Sequence, residues 1–184
     1  MKRWYLAPAP LLVLTMAACA PKVETSGSIN PAMSGEIAEW RTYAWLPAPQ
    51  GGDSRIYNDI TRGRLEAAVN RQLAARGFTL TQDDPDFQIA WTASIDRRLD
   101  MDTYSGYYGY GWGWWGPGYS TYVYEYDEGT LILDFVDADR NELAWRGVAI
   151  GRLSGATPQQ PTQDQIDEAV EEVMEEFPRT TMPR

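Results

Sequence analysis

Two alternating apolar stretches facing each other across a short polar turn, at residues 129–152, constrain the fold more than any other part of the chain. In the first arm Leu131, Leu133 and Phe135 alternate with Ile132, Asp134 and Val136; in the second, Trp145, Gly147 and Ala149 alternate with Arg146, Val148 and Ile150. A period of two over both arms predicts a hairpin at the centre of a sheet, buried on at least one face by helices. The connection over 137–142 is rich in Asp and Asn, whose side chains bond their own backbone and tolerate turn geometry. Arg146 is expected to pair with Asp134 across the hairpin. Asp137, Asp139 and Asn141 mimic the first ligand spacing of a calcium loop, but Glu142 stands where that loop needs Gly and Val148 where it needs a bidentate Glu. A hairpin turn explains them better.

The rest of the chain reads as elements that cover or extend this hairpin. Residues 40–46 alternate and stop at Pro47, which predicts a first strand. After a Pro- and Gly-containing loop, Asp53 or Ser54 can cap a helix whose stripe includes Tyr57, Ile60, Leu65, Ala68, Val69 and Leu73. Gly77 closes that helix, with Phe78 positioned to touch Leu73; Gly63 within it marks close packing or a late start. Phe87, Ile89, Trp91, Ala93 and Ile95 form one face of the next strand, which runs to Asp100 or beyond. Residues 122–126 alternate again and lead into the hairpin through a turn at 127–129. Thr162 with Gln165 predicts a capping box for a last helix, with Ile166, Ala169, Val170, Val173, Met174 and Phe177 inward. Its other side, Asp167, Glu168, Glu171, Glu172, Glu175 and Glu176, reads as a solvated face. The expected class is α+β: a two-layer sandwich with a largely antiparallel sheet and two helices on one face.

Ahead of this domain, Lys2 and Arg3 precede an apolar run that is short for a membrane span, which needs about 20 apolar residues. The run ends Leu14-Thr15-Met16-Ala17-Ala18-Cys19, which resembles a bacterial lipobox with Met16 in place of the usual Leu. The resemblance implies cleavage before Cys19, acylation of its thiol and new amine, and stable anchoring by two or more chains. Ala20 following Cys19, rather than Asp, implies the outer membrane in the enterobacterial sorting scheme. The expected organisation is a signal peptide at 1–18, the lipidated Cys19 and a flexible tether at 19–35, one domain at 36–178 with an insertion at 104–126, and a tail at 179–184.

Several motifs in order resemble one family. Thr42-Tyr43-Ala44-Trp45-Leu46-Pro47, Leu73-Ala74-Ala75-Arg76-Gly77-Phe78, Asp84-Pro85-Asp86-Phe87, Gly129-Thr130-Leu131 through Asp134, Leu143-Ala144-Trp145-Arg146-Gly147 and Phe177-Pro178 together are similar to the envelope lipoproteins of domain of unknown function 4136. The resemblance covers about residues 36 to 178 and implies an α/β lipoprotein domain in the Gram-negative envelope. It brings no activity and no catalytic residues.

Composition narrows the chemistry. The chain lacks His, the commonest general base and metal ligand. Cys19 is its single cysteine, so neither an internal disulfide nor a cysteine zinc site can form. Without Lys2 and Arg3, 14 basic residues face 26 acidic ones, a net charge of −12 that disfavours nucleic acid. No cofactor and no metal is expected. The most unusual segment, 104–126, holds 8 Tyr, 3 Trp and 6 Gly. Tyr107, Tyr108, Tyr110, Trp112, Trp114, Trp115 and Tyr119 are the candidate contact surface, since such rings suit protein, glycan and lipid-headgroup partners; a flap folded back on the domain's own sheet is the bland alternative. Asp100, Asp102, Glu125, Asp127 and Glu128 flank this segment, and paired carboxylates beside aromatic platforms suggest a glycan-acting hydrolase. The favoured reading is a non-catalytic, lipid-anchored envelope module, with the membrane as partner through Cys19 and an envelope protein or glycan as a further one.

Overall fold

The computed structural model describes residues 23–48, 51–104, 120–153 and 160–178, with the side chains of 100–104 and 120–123 left aside. Six strands form one open mixed sheet: β1 (Glu24–Ile29), β2 (Thr42–Trp45), β3 (Thr79–Leu80), β4 (Phe87–Tyr104), β5 (Ser120–Asp137) and β6 (Glu142–Leu153), in the spatial order β1-β6-β5-β4-β2-β3. The ladders joining β1, β6, β5 and β4 are antiparallel, whereas β2 runs parallel to both β4 and β3. A short helix α1 (Ser34–Ile37) follows a 3-10 turn at Pro31–Met33; two longer helices are α2 (Asp59–Ala75) and α3 (Gln163–Glu175). The α+β class and the central position of the β5–β6 hairpin are as the alternation requires. Among the described residues no helix is long and apolar enough to cross a membrane.

The core lies between the sheet and α2 and α3. Phe135 is its centre: its ring lies 5.1 Å from Phe87, 4.8 Å from Trp145 and 4.9 Å from Phe177, and all four are buried. Gly147 is what lets α3 approach, since a Cβ there would sit 2.3 Å from the Trp145 ring and 2.6 Å from Val173. A bulge between Phe135 and Val136 places Ala144 and Trp145 together in the interior. On the opposite sheet face Arg146 donates two bonds to Asp134, at 2.6 and 2.7 Å, the expected cross-strand pair. The helix ends also follow the sequence. Phe78 and Gly77 donate their N–H groups to the carbonyls of Leu73 and Ala74, with Gly77 at φ 86°. Thr162 and Gln165 form the reciprocal capping box.

Four expectations need correction. The tether expected over 19–35 does not persist beyond Val23: residues 24–29 are an edge strand on β6, and Met33 is fully buried. Its sequence hides this because a largely exposed edge strand needs no apolar alternation; Gly27 is small because Trp145 and Glu176, the residue after α3, press on it, with Glu176 Cβ 2.7 Å from where its own Cβ would be. No turn occurs at 127–129, since Gly129 is paired on both sides, to Ile95 and to Gly151, and the ladder keeps it extended. Helix α2 starts at Asp59 because Asn58 accepts the N–H groups of Ile60 and Thr61; Asp53 closes only a preceding turn, accepting from Ile56 and Tyr57. Ile60 therefore lies on the exposed side and Thr61 on the buried one. Gly63 marks neither close packing nor a late start: nothing lies within 4 Å of its would-be Cβ, and the helix begins four residues before it.

Candidate functional site

The helices do not cover the whole sheet. Both α2 and α3 begin at the same end, as the contacts Arg64–Pro161, Arg71–Asp167 and Arg76–Met174 show by running in parallel. Beneath their first turns lies an apolar cleft of about 110 Å³. Its floor is one row of the sheet in which Ile95 pairs with Gly129 and Gly129 with Gly151. Two adjacent glycines on the helix-facing side leave bare backbone where other rows carry Leu133 or Ala149. Ile56, Leu65 and Trp91 line one wall, and Leu153, Ile166 and Val23 the other.

The polar groups at the cleft are mostly engaged in holding the fold. Thr61 accepts from the Asn58 amide and donates to the Arg55 carbonyl, and Gln165 is committed to Thr162. Tyr57 stacks on Trp91 at 5.2 Å and uses its hydroxyl on both the N–H and the carbonyl of Ala93. What remains is a concave apolar surface floored by bare sheet backbone. Such a surface binds hydrocarbon or a ring; it has no nucleophile-and-base pair. Among the described residues no group of three or more acidic or sulfur ligands is placed to hold a metal ion.

Past the cleft, β4 and β5 continue as a two-stranded ribbon to Tyr104 and Ser120. The described carboxylates of this ribbon do not face one another across a substrate-sized gap. Glu125 and Asp127 lie 3.8 and 4.0 Å from Arg97, Asp127 is also 3.6 Å from Arg55, and Glu128 is 2.9 Å from Arg98. Asp53 is held below its ordinary carboxylate range, first by the side-chain bonds from Arg55. The Arg55 guanidinium is correspondingly raised by Asp53, and Arg98 is raised by its bond to Glu128. Each of these described carboxylates thus has a guanidinium within 4.0 Å. Arg152 lies over the Tyr126 ring at 3.9 Å. The backbone at Asp100 and Asp102 belongs to β4 opposite Tyr124 and Tyr122.

Cys19 and the aromatic candidates Tyr107, Tyr108, Tyr110, Trp112, Trp114, Trp115 and Tyr119 lie outside the described residues. The structure does define where their segment leaves and rejoins the fold. It also adds a site the alternation pattern did not announce, the cleft, for which the signal was present as Gly129 and Gly151 at matched positions flanking the hairpin.

Comparison with known proteins agrees with this architecture. A family model described as a domain of unknown function, DUF4136, matches residues 30–179. No curated protein matches the chain in sequence. Among solved structures, a PDZ domain protein from Parabacteroides distasonis is similar with a TM-score of 0.56 at 11% identity, over 89% of this chain and 37% of that one. This chain thus spans little more than a third of that protein's length, and the likeness extends to the fold alone. PelC from Paraburkholderia phytofirmans, a dodecamer in its crystals, gives a TM-score of 0.47 at 8% identity over 83% of this chain and 95% of that one. A minor lipoprotein from Acinetobacter baumannii gives 0.39 at 10% identity over 76% and 93%.

Proposed function

The chain belongs to the DUF4136 family, and from that premise we propose that it is a lipid-anchored lipoprotein of the cell envelope, non-catalytic, held by Cys19 at the periplasmic face of the outer membrane. It acts by contact, through the end of the domain that bears the cleft and the ribbon. The observation that carries the reading is the convergence of three features at that end. The cleft is apolar, the described ribbon carboxylates lie beside arginines, and β1 begins there at Glu24, five residues after Cys19. A hydrolase would need two carboxylates with unlike environments bracketing a bond, and the described acids offer none.

Metabolic labelling with a palmitate analogue, on wild type and Cys19→Ala, tests the anchor. The wild-type chain is expected to carry label and to fractionate with outer membranes, and the variant to lose both. Wild type that remains unlabelled and soluble after export sinks the anchored reading. Asp100→Asn, Asp102→Asn, Glu125→Gln and Asp127→Asn, made one at a time, are expected to leave the cellular phenotype unchanged. Photo-crosslinking from position 114 identifies the partner class of the aromatic segment.

A further inference from the structure

The strand order ends in β1 on one side and β3 on the other, and the two edges are guarded unequally. β3 is two residues long, and so short an edge offers little for another chain to pair with. β1 is six residues long, and among the described residues no strand pairs with its outer side. It carries no Lys, no Pro and no bulge, the devices that commonly blunt an edge. The Asn30 N–H bonds the carbonyl of Ala144, so the alternation of an antiparallel ladder turns the N–H and C=O groups of Thr25, Gly27 and Ile29 outward.

Helix α3 runs above this edge in the same direction as β1. Glu168 and Ala169 line the cleft together with Val23, and at the other end Glu176 presses on Gly27. Glu168, Glu172 and Glu176 follow one another at intervals of four residues, so they form one row, about 6 Å apart along the helix axis. That nearly matches the spacing of about 6.6 Å between side chains on the same face of a strand. Glu172 and Glu176 are exposed, and among the described residues none of the three has an ion-pair partner, whereas Asp167, on the flank toward α2, is held by Arg71. Val23, Thr25 and Gly27 share the helix-facing side of the chain, with the cleft at the Val23 end.

We propose that the outer edge of β1 is a strand-addition site for an extended basic segment of a partner protein. An antiparallel segment exchanges backbone bonds with Thr25, Gly27 and Ile29. Its side chains opposite Gly27 and Thr25 then stand on the helix-facing side, below Glu176 and Glu172, where Lys or Arg answers the carboxylate row. Two residues on, opposite Val23, an apolar side chain meets the cleft. Backbone bonds supply the affinity of such a complex, and the alternate side chains its specificity. A second copy of this chain is a poor occupant, because pairing β1 with β1 about a two-fold axis brings two rows of glutamates toward each other. The proposal names the partner for the contact reading above and rests on it, but not on the anchor at Cys19.

Surface plasmon resonance provides the test, with the full-length protein immobilised in detergent and the peptide Thr-Lys-Thr-Lys-Thr-Leu-Thr in flow at up to about 1 mM, where even weak strand addition registers. The wild type is expected to bind this peptide and not its counterpart with Glu in place of Lys. Methylating the backbone nitrogens of the two lysines removes the N–H groups that face β1 and should abolish binding with the charges intact. The E172Q/E176Q variant should bind the lysine peptide several-fold more weakly at an unchanged melting temperature. Thr25→Pro removes an outward donor from β1 but no ladder bond to β6, and it should lose most of the binding; if it does not fold, the N-methylated peptide on the wild type decides. Binding that survives N-methylation is charge attraction without strand pairing and overturns the proposal. Equal binding of the lysine and glutamate peptides, or binding of neither, also overturns it. The contact reading is decided separately, by the crosslinking from position 114.

Discussion

The first half of β4, residues 87–95, and its second half, residues 96–104, belong to one unbroken ladder with β5, yet they meet different surroundings. In the first half Phe87, Ile89 and Trp91 are buried beneath the helices. In the second half the described side chains, 96–99, are exposed and β5 is the strand paired with it, and an isolated two-stranded ribbon is marginal in water. The backbone bonding is the same in kind. What separates the halves is apolar burial, the largest favourable contribution to folding. Stability therefore belongs to the covered half, and the exposed half is free to carry contact chemistry.

The sharpest way to break this division is to remove one apolar side chain from each half's ladder. Phe135→Ala opens a void at the meeting point of Phe87, Trp145 and Phe177 and is expected to destabilise the protein by about 3–5 kcal/mol. Leu99→Ala on the ribbon is expected to change stability by no more than about 0.5 kcal/mol. Urea unfolding followed by tryptophan emission checks both, and equal losses would mean that the ribbon is part of the cooperative core.

Two glycines of β6 divide in the same way. Gly147→Val drives a branched side chain into Trp145 and Val173, and an overpacked core of this kind costs about 1–3 kcal/mol. A Cβ at Gly151 meets only Val23, at an ordinary 3.4 Å, so Gly151→Val should fold nearly as well while filling the cleft floor. Titration with an apolar fluorescent probe is expected to show several-fold weaker binding to Gly151→Val at an unchanged melting temperature. Unaltered probe binding would remove the cleft as an apolar site.

The same contrast explains what was legible in the sequence. Where one face is buried, its period is written in the residues, and Leu133, Phe135, Trp145, Val170 and Val173 were identifiable from alternation and helical spacing alone. The caps at Gly77 and Thr162 were equally legible, because each is local chemistry between residues near in sequence. β1 was not, since its place is set by the free edge of β6 and leaves no apolar pattern in Glu24–Ile29. The Asp127-Glu128-Gly129 stretch looks like a turn locally but is kept straight by pairing on both sides. The cleft depends on two glycines 22 residues apart meeting across a ladder, a coincidence that only the register reveals.

At the covered end, Asp86 ties β2 to the start of β4 by accepting from the N–H groups of Arg41 and Thr42, at 2.6 and 2.8 Å, and from the Thr42 hydroxyl at 3.0 Å. Burial pushes its carboxyl up, but these donors together outweigh it and hold the group below its ordinary value. A carboxylate with a depressed folded-state pKa contributes stability that is present above its unfolded pKa of about 3.9 and is lost as pH falls through the lower folded value. Asp86→Asn is therefore expected to cost about 1 kcal/mol at neutral pH and to flatten part of the loss seen on acidification below about pH 4. Thermal unfolding across pH 2–7 measures both, and an acid limb of unchanged steepness would show that other carboxylates set it.

The smallest effects compare two arginines on the open sheet face. Arg146 grips Asp134 through two bonds, between directly paired residues of β6 and β5, with the carboxylate largely enclosed. Arg98 reaches Glu128 through one bond, where the ribbon begins. The bidentate pair holds its geometry with less loss of side-chain freedom, so Arg146→Ala is expected to cost up to about 1 kcal/mol and Arg98→Ala only a few tenths. Salt provides the discriminating measurement. Raising ionic strength to about 1 M shortens the screening length to roughly 3 Å, which should shrink the Arg98→Ala difference to nothing while part of the Arg146→Ala difference survives. If both vanish together, the two ends of the sheet are electrostatically alike, and the distinction between them rests on apolar cover alone.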